Sequence, residues 1–458
     1  MSGWDELVAA ALIGTDRRPV EAGVPEGSPD GLEVALRERG AEDRLLGAAA
    51  AWTVARRAGA VAGERVEVDP ADDDPRPVAP GTSLRDRLEG VHPSLLGEWL
   101  ALAAERGLRP PPELVPALLN HAALNPALHA AVGEAGGPLG RWLAERNPSW
   151  AFVRGAGDDV DEVWAQGASE ERRALLERLR RADPAVGRDL LAHTFAEETW
   201  EDRAAFVAAL AHGLSDEDEP LLEAALDDRR KPVRDAAAFL LAGLPRSRFG
   251  ARMAARAAPL LHVEGGRLRG RRIVVELPSE PDAAAKRDGV PSGGRRSERL
   301  HALLAATPLN TWELELAELP VGDDLAGVVR GGWAAAAVAQ RDAEWARALW
   351  AVHPDPALLV ALPRDEGEAL AARADQPDVA ATALTGQWGA TLSKAVIDAI
   401  HQRRTAGERG ADAEFAGYRL DPAFSTEAEE RLRDLGGRDL RRLCDILTAR
   451  AAMLRELS

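Results

Sequence analysis

The stretch from Leu214 to Leu261 carries a sustained helical spacing of apolar side chains, and this spacing constrains the fold more than any other feature. Its central apolar positions recur every three or four residues, as on one face of an α-helix. They are Val233, Ala236, Ala237, Leu240, Leu241 and Leu244. The same spacing occurs before this face, from Leu221 to Leu226, and after it, from Phe249 to Leu261. The stretch therefore predicts three consecutive amphipathic helices.

The composition extends this expectation to the rest of the chain. Of the 458 residues, 46% are hydrophobic but only 4% are aromatic, and alanine makes up much of the hydrophobic share. Alanine has the highest intrinsic helix propensity, and its small side chain lets helices approach closely. Only two pieces are β-rich, 262–268 and 271–277, and Gly265-Gly266 between them suits a hairpin turn. The predicted fold is all-α with a small β-hairpin insert.

Helix starts are marked by a repeated pair of residues. Proline follows aspartate at Asp183-Pro184, Asp355-Pro356 and Asp421-Pro422. Proline is favoured at the first helical position, and a carboxylate just before it accepts hydrogen bonds from free backbone N–H groups. Frequent, well-marked starts predict short helices arranged as hairpins.

The apolar pattern also repeats along the chain. The segment 209–214 recurs thirty residues later as 239–244, and Leu179 precedes Leu210 by thirty-one residues. A period near thirty with two helices per unit is typical of an α-solenoid, in which each hairpin packs against its neighbours.

Two segments within this region resemble a HEAT repeat. The first is 218–228, with an aspartate before the turn, and the second is 233–241, with the order Val-Arg-x-x-Ala-Ala. The resemblance covers roughly 170–261. It implies a HEAT-like α-α superhelix.

The whole chain also resembles an uncharacterised bacterial family defined as a domain of unknown function. The resemblance lies in Leu12–Arg17, in the Asp-Glu-Pro-Leu-Leu-Glu helix from Asp218, and in the helix from Trp388 to Ile400. Members of that family tend to be encoded beside MoxR-type AAA+ ATPases, von Willebrand A-domain proteins and SWIM zinc-finger proteins. The resemblance implies a role in such an assembly and supplies no catalytic residue.

We predict four regions along the chain. They are an N-terminal helical region at 1–150, HEAT-like repeats at 151–261, a β-hairpin with a flexible linker at 262–297, and a C-terminal helical region at 298–458. The linker is expected because 278–297 is rich in Pro, Gly, Ser, Lys and Arg.

The hairpin region contains the candidate partner-binding residues. Nine basic and six acidic residues lie between 262 and 299, in a chain whose formal net charge is −18. Alternation along a strand would place Arg267, Arg269 and Arg271 on one face. Arg272 is the fourth candidate partner-binding residue. One interpretation is an edge strand protected by charge. The other is a docking point for an acidic partner.

Motifs for catalysis or metal binding are not found in the sequence. There is no phosphate-binding glycine loop, no dinucleotide fingerprint, no nucleophile elbow and no His-Glu-x-x-His zinc motif. The acidic run 216–219 stands at a predicted helix start, where the helix dipole favours it; an acidic docking or metal site is the alternative. The single cysteine, Cys444, excludes an intramolecular disulfide. We therefore predict no cofactor and no metal.

Two functions are compatible with these observations. The first is a non-catalytic scaffold or adaptor for protein partners, an AAA+ ATPase or a von Willebrand A-domain protein being suggested by the family resemblance. The alternative is a HEAT-like nucleic-acid enzyme of the DNA glycosylase type. The net charge of −18 disfavours phosphate binding and so the alternative. The N-terminus lacks a basic signal region and no run of about 18 apolar residues occurs, so we expect a cytoplasmic protein without a membrane span.

Overall fold

The computed structural model describes residues 3–17, 19–20, 23–25, 28–29, 31–58, 69–156, 160–265, 270–322, 324–408 and 413–458. Throughout these ranges the fold is all-α with one two-stranded sheet, as predicted. The contacts between residues separate the chain into two compact units, Met1–Asp72 and Asp73–Ser458. The finer division into four regions stays a prediction.

The described residues of the first unit form three helices, α1 (Gly3–Ile13), α2 (Leu32–Arg37) and α3 (Ala41–Ala58). Helices α1 and α2 both pack against α3. Their apolar side chains enclose a small core of Leu7, Ala10, Val20, Leu36 and Ala48.

The second unit begins with helices α4 (Thr82–Leu88), α5 (Leu96–Glu105), α6 (Val115–Ala123) and α7 (His129–Ala144), whose apolar side chains form a core around Trp99. Helix α8 (Val160–Gln166) follows them in the chain. Helix α7 is bent at Gly137, whose φ is 52°, immediately before Pro138. The break between α6 and α7 lies at Asn125-Pro126, since proline cannot continue a helix.

The middle of the second unit contains the predicted amphipathic helices. They are α9 (Ser169–Ala182), α10 (Pro184–Thr194), α11 (Trp200–Ala209), α12 (Glu219–Ala225), α13 (Lys231–Ala242) and α14 (Arg248–Ala257). Helix α9 packs on α10 and α11, and α13 packs on α11 and α12. Helix α11 thus contacts both α9 and α13, while α10 and α12 pack on these two helices, respectively.

A fully buried ion pair joins the helices of this middle part. Nη2 of Arg180, at the end of α9, lies 2.8 Å from Oδ2 of Asp218, and both side chains are 0% exposed. Nη1 of Arg180 also donates to Oδ1 of Asp218, at 2.9 Å, and the guanidinium donates further to backbone carbonyls, including those of Leu210 and His212. Asp218 also accepts a hydrogen bond from the backbone N–H of Ser215. The acidic run before α12 is therefore part of the packing between hairpins.

The hairpin lies where the β-rich sequence predicts it. Strand β1 (Leu261–Glu264) pairs antiparallel with β2 (Arg272–Val275), and Leu261 is opposite Val275. The chain after β2 continues through α15 (Ala283–Arg287), α16 (Arg296–Ala306), α17 (Ala326–Gln340) and α18 (Ala343–Val352).

The segment 278–297, predicted to be a flexible linker, is instead packed against the helices. It contains α15 and the buried residues Asp288 and Val290. The side chain of Arg299 is 2% exposed and donates hydrogen bonds to the carbonyls of Pro278, Ser279 and Pro291. A polar composition misled the prediction, because buried arginines satisfy the loop backbone here.

The last helices bring the end of the second unit back to its beginning. They are α19 (Arg364–Ala372), α20 (Pro377–Ala380), α21 (Ala390–Thr405), α22 (Ala413–Gly417), α23 (Ser425–Leu432) and α24 (Arg438–Leu457). Helix α24 packs on α22 and α23 and also on α4 and α5. Met453 and Leu457 complete the core around Trp99. A stack in which each hairpin touches only its neighbours would not contain this contact, so the superhelix stays a prediction.

Candidate docking groove

An apolar groove of about 300 Å³ lies between four helices of the second unit. Helices α13, α14, α16 and α17 supply its walls, together with the turn after α15. Its lining is Asp235, Ala238, Phe239, Ala242, Phe249, Met253, Asp288, Gly289, Val290, Ala302, Ala305, Ala306, Ala335 and Ala339.

Small side chains leave this space open. Alanines occupy neighbouring turns on three of the helices, at 238 and 242, at 302 and 306, and at 335 and 339. Residues four apart lie on the same helix face, so each pair presents a smooth, shallow wall. Phe249 and Met253 are each 1% exposed and form the floor. The groove is therefore apolar along its walls and floor.

The phenyl ring of Phe239 stands at the edge of the groove and is 73% exposed. Lys231 and Asp235 precede it at intervals of four residues, so all three lie on the outward side of α13. Covering an exposed aromatic ring stabilises by about 2–3 kcal/mol. A large apolar side chain left in water beside an apolar groove is typical of a surface that another molecule covers.

An ionic network holds the turn that closes one end of the groove. Asp288 is 2% exposed and accepts hydrogen bonds from Nη2 of Arg252, at 2.8 Å, and from Nη1 of Arg256, at 2.7 Å. Glu223 shares Arg252, with an Oε1–Nη2 distance of 2.9 Å. Arg287 joins the network through Asp288, with an Nη1–Oδ1 distance of 3.1 Å. The turn after α15 is thereby tied to α12 and α14.

The network also sets the ionisation of its central carboxyl group. Burial by itself would raise the pKa of Asp288, but the hydrogen bonds from Arg252 and Arg256 outweigh burial and hold the pKa below its ordinary value. Asp288 is thus an ionised, neutralised part of the wall rather than a free acid.

The other carboxylate of the lining is accessible. The side chain of Asp235 is 49% exposed, and its Oδ2 lies 2.5 Å from Nζ of Lys231, which is 76% exposed. Exposed pairs of this kind contribute about 0.3–0.5 kcal/mol. A cation from outside can therefore replace Lys231 at little cost.

The arginines predicted to bind a partner lie elsewhere. Arg267 and Arg269 fall outside the described residues. Nη1 of Arg271 is 3.4 Å from Oε2 of Glu315, and Nη2 of Arg272 is 3.5 Å from Oε2 of Glu264. Exposed carboxylates thus face both described arginines, and their role in binding stays a prediction.

The acidic run 216–219 is compensated by arginines rather than gathered around a metal. Asp216 pairs with Arg246 at 2.5 Å. Glu219 accepts from the backbone N–H and from Nε of Arg248, and the backbone hydrogen bond is the larger cause of its lowered pKa. Among the residues that the structure describes, no group of three or more His, Cys, Asp or Glu side chains is arranged to hold a metal ion.

The position of Phe239 in the sequence is a signal for the groove that apolar periodicity alone does not reveal. Phe239 lies off the apolar face of α13 and at the same spacing as Lys231 and Asp235. An aromatic residue at a solvent-facing helix position is the pattern that would have indicated it. The distant alanines of α16 and α17 give no such signal.

Comparison with known proteins places the chain in a family. Residues 6–457 match the family of unknown function DUF5691. The chain belongs to this family. No curated protein and no solved structure matches it. In the described part of the chain, no helix is long and apolar enough to span a membrane.

Proposed function

We propose that this DUF5691 member is a non-catalytic scaffold or adaptor, and that the groove beside Phe239 is its binding site for a protein partner. One observation carries the proposal: a 73%-exposed phenyl ring stands next to an apolar groove of about 300 Å³. Interfaces of proteins are built around an aromatic or aliphatic anchor seated in such a groove.

The chemistry of the groove supports binding rather than reaction. Both carboxylates of its lining are ion-paired, Asp288 with arginines and Asp235 with Lys231. The remaining lining side chains are apolar. A site of this composition contributes buried area and shape to a complex.

We also propose the fold, the compartment and the class of partner for this scaffold. The stacking of α9 to α14 and the family resemblance support a HEAT-like superhelix that presents the groove to partners in the cytoplasm. We propose a MoxR-type AAA+ ATPase or a von Willebrand A-domain protein as the partner, because members of the family that this chain resembles tend to be encoded beside such proteins.

The proposal is tested by recovery of partners on the tagged full-length protein from nuclease-treated native lysate. Phe239→Glu places a charge on the groove edge and should remove a specifically recovered protein. Leu124→Glu is the matched control, because Leu124 is 89% exposed in the same unit but lies outside the groove. The recovered protein is then purified and titrated against both variants. Equal recovery and equal affinity with Phe239→Glu and with the control would refute the proposal.

A further inference from the structure

We infer that the protein forms a symmetric dimer in which β1 of one copy pairs antiparallel with β1 of a second copy. The two hairpins then form one four-stranded sheet. None of the residues Leu261–Glu264 lines the groove beside Phe239, so the inference is independent of the proposed binding site. It rests on the unpaired backbone of β1, on the exposed side chain of Val263 and on the order of polar side chains along the strand.

The backbone of β1 has hydrogen-bonding groups that face away from β2. On the inner strand, the N–H of Ile273 donates to the carbonyl of Pro320, at 2.8 Å, and the carbonyl of Ile273 accepts from the N–H of Gly322, at 3.0 Å. Ile273 therefore does not bond to Val263, which lies opposite it. In an antiparallel pair the backbone groups of such a residue point outward. Within the described part of the chain, the N–H and the carbonyl of Val263 have no hydrogen-bond partner.

The side chain of Val263 lies on the core-facing side of the sheet and is still 43% exposed. Residues directly opposite each other share a sheet face, and the opposite residue, Ile273, is 1% exposed. The described residues form a sheet of two strands, so that Val263 has no strand on its outer side. An added strand would cover this side chain and remove it from water. An edge with free backbone groups and an uncovered apolar side chain is a template for strand addition.

The order of side chains along β1 selects a second copy as the added strand. With Val263 on the two-fold axis, Val263 of each copy donates to and accepts from Val263 of the other. His262 of each copy then lies opposite Glu264 of the other, in the pair position where side chains are closest. An imidazole N–H donates to a carboxylate at this position. The order His-Val-Glu is therefore complementary to its own antiparallel image, as a two-fold interface requires.

The contacts that these side chains make within one copy are compatible with the dimer. Nε2 of His262 lies 3.2 Å from Oε1 of Glu276, and Oε2 of Glu264 lies 3.5 Å from Nη2 of Arg272. Nδ1 of His262 and Oε1 of Glu264 have no hydrogen bond within the described residues, so both atoms can contact the other copy. Across the axis, the row Arg272, Glu264, His262 and Glu276 alternates donors with acceptors. The dimer therefore extends the existing exposed pairs and breaks neither of them.

The first test is the oligomeric state of the full-length protein. A contact along the four residues of β1 is smaller than the standard interface of about 1,600 Å². We therefore expect a reversible dimer with a dissociation constant on the order of 100 µM. Sedimentation velocity from about 5 to about 500 µM protein measures it, and the weight-average sedimentation coefficient should rise with concentration. A monomer throughout this range would overturn the inference.

Two substitutions of Val263 assign the dimer to the edge. Val263→Pro removes the outward N–H and leaves the hydrogen bonds between β1 and β2 intact, because they do not use this N–H. It should weaken association about tenfold, since the symmetric contact loses two hydrogen bonds. Val263→Thr keeps the N–H and the β-branched shape and is the matched control. Equal association of the two variants, or a dimer lost with Phe239→Glu but retained with Val263→Pro, would overturn the inference.

Two charge variants test the antiparallel register without a change to the backbone. His262→Glu places a glutamate opposite Glu264 of the other copy, and Glu264→Lys removes the carboxylate that faces His262. Each variant alone should therefore associate more weakly than the wild type. In an equimolar mixture the introduced glutamate of one copy faces the introduced lysine of the other, so a heterodimer should form. A mixture that associates no better than the separate variants would overturn the inference.

Discussion

Nε of Arg450 lies 2.9 Å from both carboxylate oxygens of Glu98, although 352 residues separate the two in the chain. Arg450 is 1% exposed, and it also donates to the carbonyls of Gly417 and Leu420 and to Oε1 of Gln387. One side chain on α24 therefore satisfies backbone groups at the end of the second unit and binds α5 at its beginning. This contact attaches the last helix, α24, to the first helices of the second unit.

Replacing this arginine should destabilise the second unit strongly. Arg450→Met leaves the carbonyls of Gly417 and Leu420 without donors and Glu98 without its cation, so we expect a loss of about 3–5 kcal/mol. Thermal unfolding followed by tryptophan fluorescence measures it, since Trp99 and Trp388 are both buried in this unit. The exposed Arg455, also on α24, supplies the control Arg455→Met, with an expected change below about 0.5 kcal/mol. Similar melting temperatures for the two variants would show that the Arg450 contacts contribute little.

Acid should destabilise the groove through Asp288. Its pKa is lowered in the folded protein, so its carboxylate stabilises the fold above its unfolded pKa of about 3.9, and this contribution is lost as the pH falls through the folded value. We expect Asp288→Asn to lower stability at pH 7 by about 3 kcal/mol, because three arginines lose their common acceptor. The difference between variant and wild type should shrink below about pH 4. Chemical denaturation across pH 3–7 measures it, and a difference independent of pH would contradict the assignment.

The segment between the hairpin and α16 should contribute to stability rather than act as a spacer. Replacing 283–291 by a Gly/Ser sequence of equal length removes α15, Asp288 and Val290, and with them one wall of the groove. We expect the melting temperature to fall by several degrees, since buried apolar area and the ionic network are lost together. Ser292→Gly, at an exposed position of the same segment, is the control. A melting temperature unchanged by the replacement would restore the linker hypothesis.

The single thiol should be unreactive in the native protein. Cys444 is 0% exposed, its Sγ donates to the carbonyl of Ala428 at 3.5 Å, and burial raises its pKa to about 11. Because the thiolate is the reactive form, a disulfide reagent at pH 8 should modify it only as fast as the protein opens. In denaturant one thiol per chain should react at once. Rapid modification of the native protein would show that α23 and α24 separate readily.

Local features of the fold followed from residues close together in the sequence. Asp183, Asp355 and Asp421 each accept a hydrogen bond from the backbone N–H two residues later, as the Asp-Pro pairs predict. The apolar spacing of α13 and the positions of β1 and β2 were likewise readable, because a helix face or a short strand is decided within a few residues. Composition and these patterns determined the all-α class.

The tertiary structure alone decided which distant groups meet. Arg450 pairs with Glu98, and Arg180 pairs with Asp218, across large distances in the sequence. The polar segment around Asp288 is buried because arginines from other helices donate hydrogen bonds to its carboxylate and its loop carbonyls. The position of Phe239 beside a groove also depends on the tertiary structure, since alanines from the distant helices α16 and α17 line that groove. Spacing within one helix encodes what that helix buries, whereas pairing of charges and the space between helices depend on the packing of the whole unit.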